Sequence, residues 1–285
     1  MSRAGKTMLR LGTTLVVAVL SVVLTSAFVH LAPGLNSDER ELDPRLSNAS
    51  VEQLRAQNAG SHSLWSEISA TVHGDLGTAK TYNRPVRELI AQRLPETFDT
   101  MGRALAMAWA LAVAVLGLGW ICDLRSIRVG GALSSTAIVA IPYSVLALAG
   151  LVFSWSAALV VAILIFAKVN GYLSRIISQC AQQPFVLSAH ARGLSRVRIF
   201  FCHLVPASAP QLLALIGISF NVALAACVPV EALLDRPGIG QLAWQAALGR
   251  DVQLLLPLTA MIAAGSRLCT AAADSAAELL GWSAA

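Results

Sequence analysis

The sequence predicts an all-α membrane protein with six transmembrane helices, and three observations carry that expectation. Hydrophobic residues make up 56% of the 285-residue chain and charged residues only 13%, against about 25% charged in an ordinary soluble domain. No Asp, Glu, Lys or Arg occurs between Arg128 and Lys168 or between Arg198 and Glu231, and a spanning helix needs about 20 apolar residues. The basic residues also gather in alternate gaps between the apolar runs, as they do in multi-span proteins. The same composition excludes intrinsic disorder, a collagen-like repeat and a disulfide scaffold. Cys122, Cys180, Cys202, Cys227 and Cys269 form no C-x-x-C pair, so the spacing indicates neither a disulfide framework nor a zinc site.

Residues 1–31 read as an N-terminal tail and first span. The uncharged run Leu11 to Leu31 follows Arg3, Lys6 and Arg10 and continues past a weak small-x-small site at Thr25 and Ala27, which favours a retained helix over a cleaved leader. Residues 32–103 read as an external segment, with Pro33-Gly34, an acidic stretch from Asp38 to Asp43 and a helical pattern at Val51, Leu54 and Leu64. His62 and His73 lie there without a ligand-spaced partner, so they read as surface residues. The membrane core, 104–285, holds the remaining spans: Ala104 to Cys122, Ala132 to Phe153, Ala157 to Leu173, one within Ala207 to Val230, and Val252 to about Ala272. The third and fourth divide near Ser154-Trp155-Ser156. Lys168, inside the fourth, is expected to snorkel toward headgroups rather than line a path. Asn170, Ser219 and Asn221 are expected to bond neighbouring helices.

Charge tests the topology. Segments 1–10, 123–130, 168–206 and 267–285 together hold 11 Lys and Arg against 3 Asp and Glu, whereas 32–103 and 231–251 hold 10 against 13. The positive-inside rule then puts both termini and the 168–206 loop in the cytoplasm. A net charge of +5 thus marks a membrane side and gives no reason to expect nucleic acid. Gly5-Lys6-Thr7 precedes a span instead of following a strand, so this chain is not expected to bind nucleotide. No nucleophile–base or paired-carboxylate spacing suggests an enzyme.

Two segments are more specific. The loop from Pro184 to Pro206 reads as two short helices meeting at Gly193, with glycine in the left-handed position that ends one helix and Ser195 capping the next. Ala189 and Ala191 are small, and Arg192, Arg196 and Arg198 supply charge. On composition alone such a loop equally suits anionic headgroups. Beyond the fifth span, Glu231 is followed by Pro237-Gly238-Ile239-Gly240, which must turn, and then by Arg250-Asp251. This stretch is expected to be a re-entrant or interfacial element on the outer side, with Glu231 a functional candidate because an unpaired carboxylate at the mouth of a span is costly.

Phe185, Val186, Ala189, Ala191, Gly193, Leu194, Ser195, His203 and Pro206 match the EAA-loop pattern of ABC-importer permeases, in the form found in the dipeptide, oligopeptide and nickel permeases. Pro184, His190 and Arg192 depart from it. Glu231, Pro237, Gly238, Gly240, Leu242, Arg250 and Asp251 are similar to that family's segment after the fifth span. Pro33-Gly34, Arg84-Pro85, Arg93 to Thr97 and Ile141-Pro142 extend the resemblance over most of the chain. The resemblance implies alternating access in the bacterial inner membrane, with Phe185, Ala189, Ala191, Arg192, Gly193, Leu194, Ser195, His203 and Pro206 coupling to the ATPase. It makes Glu231, Pro237, Gly238, Gly240, Arg250 and Asp251 candidates for the translocation path or outer gate. It also implies a second homologous permease, two ATP-binding subunits that carry ATP and Mg, no cofactor or metal on this chain, and an extracytoplasmic substrate-binding protein. Di- or oligopeptides are the expected cargo, with nickel or another small solute as the alternative. An ion-coupled secondary transporter is the rival class, opposed by the scarcity of ionisable residues in the spans.

Overall fold

The computed structural model describes residues 3–31, 76–122, 125–249 and 251–279. The expectations for 32–75, including His62, His73 and the acidic stretch, and that for Arg250 fall outside the described residues. In chain order the elements are α1 (Arg3–Leu31), the two-residue strands β1 (Thr78–Ala79) and β2 (Arg84–Pro85), α2 (Val86–Ile121), α3 (Arg125–Val139), α4 (Tyr143–Val152) and α5 (Ala157–Ala181). They continue with α6 (Pro184–Ala191), α7 (Arg196–Ile199), a π-helical turn over Phe200–Leu204, α8 (Val205–Leu233), α9 (Ile239–Leu248) and α10 (Val252–Leu279). Among the described residues, four helical stretches are long and apolar enough to cross a membrane, and a fifth span results if α3 and α4 are counted as one. α1 carries a shorter apolar stretch, Gly12–Ala27.

The chain divides into two compact units. One comprises 1–93 and 242–265, the other 94–241 and 266–285. In the first, β1 pairs antiparallel with β2, Thr78 opposite Pro85, around a turn closed by Asn83 N–H to the Ala79 carbonyl at 2.8 Å. In the second, α5 is the most enclosed element. It packs on α8, α3 and α4, and its apolar face (Val160, Val161, Leu164, Ile165, Val169) joins Ala104, Ala108, Ala112, Leu215, Ala223 and Ala226 in one core. Polar bonds knit the same helices: Asn170 Nδ2 donates to the Gly131 carbonyl at 2.9 Å and to Ser135 Oγ at 2.7 Å, and Trp109 Nε1 donates to Ser219 Oγ at 3.1 Å. Asn221 Nδ2 donates to Thr270 Oγ1 at 3.0 Å. Such bonds replace water where the lipid offers no partner.

Two elements differ from the sequence expectation. The third span is not one helix, because α3 and α4 meet at 96° across Ala140–Pro142. Pro142 has no N–H to continue the ladder and disfavours helical backbone at Ile141; α3 closes instead with Ile141 N–H on the Ile138 carbonyl at 3.0 Å. The helix of the second span begins at Val86, well before Ala104. Its first turns are amphipathic, with Val86 and Leu89 buried and Arg87, Glu88 and Gln92 exposed, so hydrophobicity alone hides a helix that periodicity reveals. The division between α4 and α5 falls where expected, with Ser154 at φ 55° and Ser156 Oγ accepting the Leu159 N–H at 3.3 Å.

Candidate functional site

The Pro184–Pro206 loop begins with proline at the first helical position of α6, where its missing N–H costs nothing and its φ suits the helix. α6 ends in a Schellman motif: Gly193 has φ 74°, its N–H reaches the His190 carbonyl at 2.9 Å, and Leu194 N–H reaches back to Ala189 at 3.3 Å. No heavy atom lies within 4 Å of a Cβ placed on Gly193, so glycine is needed there for its backbone and not for space. Ser195 caps α7, its Oγ accepting the Arg198 N–H at 3.4 Å. His190 Nδ1 donates to the Val186 carbonyl at 3.0 Å.

Burial divides the loop into two faces. Val186, Ala189, Ile199 and Phe200 belong to the chain's own core. Phe185, Leu187, Val197 and Phe201 are exposed apolar side chains, Leu187 at 74%, and Ala191, Arg192, Gly193 and Ser195 are exposed beside them. The small size of Ala189 therefore serves packing within this chain, and Ala191 is the alanine on the outward face. His203 is half-buried in the π-helical turn. Val205 N–H closes that turn on Phe200, five residues back, just before Pro206, which lacks a donor.

At the opposite end of α8, about 39 Å along its axis from Val205, Glu231 is fully buried. Its Oε2 accepts the Gly240 N–H at 2.7 Å and the Thr97 hydroxyl at 3.2 Å, and Thr97 Oγ1 in turn accepts the Ile239 N–H at 2.8 Å. The Gln241 N–H also lies on this carboxylate. Glu231 and Thr97 thus cap α9 from two other helices, where orphan N–H groups and the helix dipole favour an anion. The chain turns in two steps: Asp235, at φ 52°, brings Arg236 N–H back to the Glu231 carbonyl at 2.9 Å, and Gly238 N–H then closes on the Arg236 carbonyl at 2.7 Å across Pro237, where a turn is expected. Gly238 and Gly240 have other reasons to be glycine. A Cβ on Gly238 would strike the Glu231 carboxylate, and one on Gly240 would lie 2.6 Å from Val228 Cα and 3.0 Å from the Cys227 carbonyl. Pro237 is exposed ahead of them. Thr97 and Asp235 were not among the sequence candidates; a residue 134 positions from its partner leaves no local signal.

Within the other unit, Asp251 is fully buried and uses both oxygens on backbone. Oδ1 accepts the Leu254 N–H at 3.2 Å, capping α10, and Oδ2 accepts the Thr81 N–H of the β1–β2 turn at 2.9 Å. Tyr82 bonds Gln245 in the same unit. Glu231 and Asp251 therefore each hold backbone in place.

Four or five apolar helices long enough to cross a membrane, among the described residues, with an exposed apolar and basic helix-turn-helix, define a multi-span helical membrane protein. Residues 116–281 match the model of the family described as binding-protein-dependent transport system inner membrane component, and the chain belongs to that family. It is accordingly a permease subunit of an ABC importer, multi-pass in the bacterial inner membrane, not itself an enzyme, and a partner of substrate-binding and ATPase subunits. The chain is 23% identical over 261 residues to the glutathione transport system permease protein GsiC of Pectobacterium atrosepticum, covering 83% of this chain and 84% of that protein. It is 25% identical over 260 residues to the protein of the same name from Escherichia coli O6:H1, covering 82% and 83%. The Escherichia coli K12 protein of that name gives the same 25% over 260 residues.

Proposed function

We propose that this chain forms one half of an ATP-driven import path for di- or oligopeptides, the 184–206 loop being the cytoplasmic element that receives the ATPase stroke. The observation that carries the reading is the loop's geometry. Gly193 fixes the angle between α6 and α7 while Phe185, Leu187, Val197 and Phe201 stay outside the core, and exposed apolar side chains among basic ones suit a protein surface. Both termini lie in the cytoplasm. A second homologous permease completes the path, two ATP-binding subunits carry ATP and Mg, and an extracytoplasmic binding protein delivers the cargo to the 231–251 side. Relatives named for glutathione transport support a peptide-like cargo. The test is uptake by proteoliposomes holding the assembled transporter and its binding protein. Peptide uptake that requires ATP, and is lost in Gly193→Val while the variant still inserts, supports the reading; uptake driven by an ion gradient without ATP overturns it.

A further inference from the structure

One cavity remains unexplained by the loop or the α8–α9 turn. In the unit of 94–241 and 266–285, a groove of about 1140 Å³ opens beside α5, and its lining includes Trp120, Ser135, Thr136, Lys168, Tyr172 and Arg175. Lys168 and Arg175 are two helical turns apart on one stripe of α5, about 10 Å along the axis, and lie about 17 and 27 Å from the start of that helix. A hydrocarbon core is about 30 Å thick and α5 is long and apolar enough to cross one, so Lys168 stands within the span and Arg175 toward its cytoplasmic end. Among the described residues no carboxylate pairs with either. Lys168 packs on an aromatic ring from another helix. Its Nζ lies 5.5 Å from the Tyr143 ring centroid, and Tyr143 is the first residue of α4, delivered there by the 96° break after α3.

Cations and hydroxyls at this depth are costly against lipid tails and mark water-filled paths and anion contacts. The hydroxyls are themselves held: Ser135 is fixed by Asn170 and by donating to the Gly131 carbonyl at 2.7 Å. We propose that Lys168, held by Tyr143, and Arg175 form a binding track for an anionic group in transit, the carboxylate of a small peptide-like solute. The proposal rests on the peptide-import reading and names its substrate chemistry. The two cations follow one another about 10 Å apart along α5, so a carboxylate leaving one meets the next. A lipid phosphate would satisfy the same cations, and the experiment separates the two sources.

The assembled transporter with its binding protein is placed in vesicles of neutral lipid, and uptake of Ala-Ala-Ala is compared with uptake of its C-terminal amide. Wild type is expected to prefer the acid; Lys168→Gln should cut the acid-to-amide ratio about tenfold, the scale of one charged hydrogen bond, and Arg175→Gln severalfold. Lys168→Arg keeps the charge and should keep the ratio. An unchanged ratio in Lys168→Gln overturns the proposal, as does equal loss in Lys168→Gln and Lys168→Arg. A ratio change that appears only when anionic lipid is added assigns the cations to headgroups and also overturns it. Wild type that carries neither form overturns the peptide reading itself, a failure visible before any variant is compared.

Discussion

The two ends of α8 use the same device to opposite purpose. Before it, α6 ends in a left-handed residue, Gly193, with a bond from Leu194 back to Ala189; after it, α8 ends in a left-handed residue, Asp235, with a bond from Arg236 back to Glu231. Around Gly193 there is open space, and the loop presents Phe185, Leu187 and Phe201 outward. Around Asp235 the chain folds inward onto a buried carboxylate, leaving no room for a Cβ at Gly238 or Gly240. The contrast shows that a glycine in a family-like motif has no single meaning. At 193 it supplies a backbone angle beside an exposed apolar surface, and at 238 and 240 it supplies contact distance within the fold.

Substitutions can break this comparison. The largest effect is expected from Gly240→Ala, which forces a methyl onto Val228 and should cost about 3 kcal/mol, seen as loss of folded protein in a thermal-unfolding assay in detergent. Glu231→Ala comes next, at about 2 kcal/mol, because the N–H groups of α9 lose their acceptor; Glu231→Gln keeps an acceptor oxygen and should unfold at a higher temperature than Glu231→Ala. Gly193→Val puts a β-branched residue at positive φ, a local strain of about 1–2 kcal/mol with far less loss of folded protein than Gly240→Ala but with transport abolished. Ser195→Ala removes the α7 cap for about 1 kcal/mol. Smallest is Gly193→Asp, since Asp tolerates the left-handed region and already occupies it at 235; it should cost under about 1 kcal/mol and retain measurable uptake.

How much could be read in advance depended on the distance over which each feature is encoded. The turn at Gly193, the cap at Ser195 and the break at Ser154–Ser156 depend on neighbours a few positions away and were legible. The 96° bend was present as Ile141-Pro142, yet uniform hydrophobicity across 132–153 concealed it. Pro237-Gly238 points to a turn, and Gly238 N–H closes one on the Arg236 carbonyl; the left-handed residue at Asp235 just before it, and the contacts of the glycines with Glu231, Val228 and Cys227, are things no local pattern shows. Glu231 was identified as a carboxylate needing a partner; that the partners are Thr97 and the backbone of α9 required three dimensions. Lys168 reads in sequence as a lone cation within a span, because Tyr143 reaches it only through the bend.

The most direct test of the central claim, that the angle set at Gly193 shapes the surface offered to the ATPase, is substrate-stimulated ATP hydrolysis by the assembled transporter carrying Gly193→Val or Gly193→Asp. The account predicts that both variants insert at wild-type levels, that Gly193→Asp retains stimulation and that Gly193→Val loses it. Stimulation at the wild-type level in Gly193→Val would contradict the account, because the helix-turn-helix angle would then play no part in coupling.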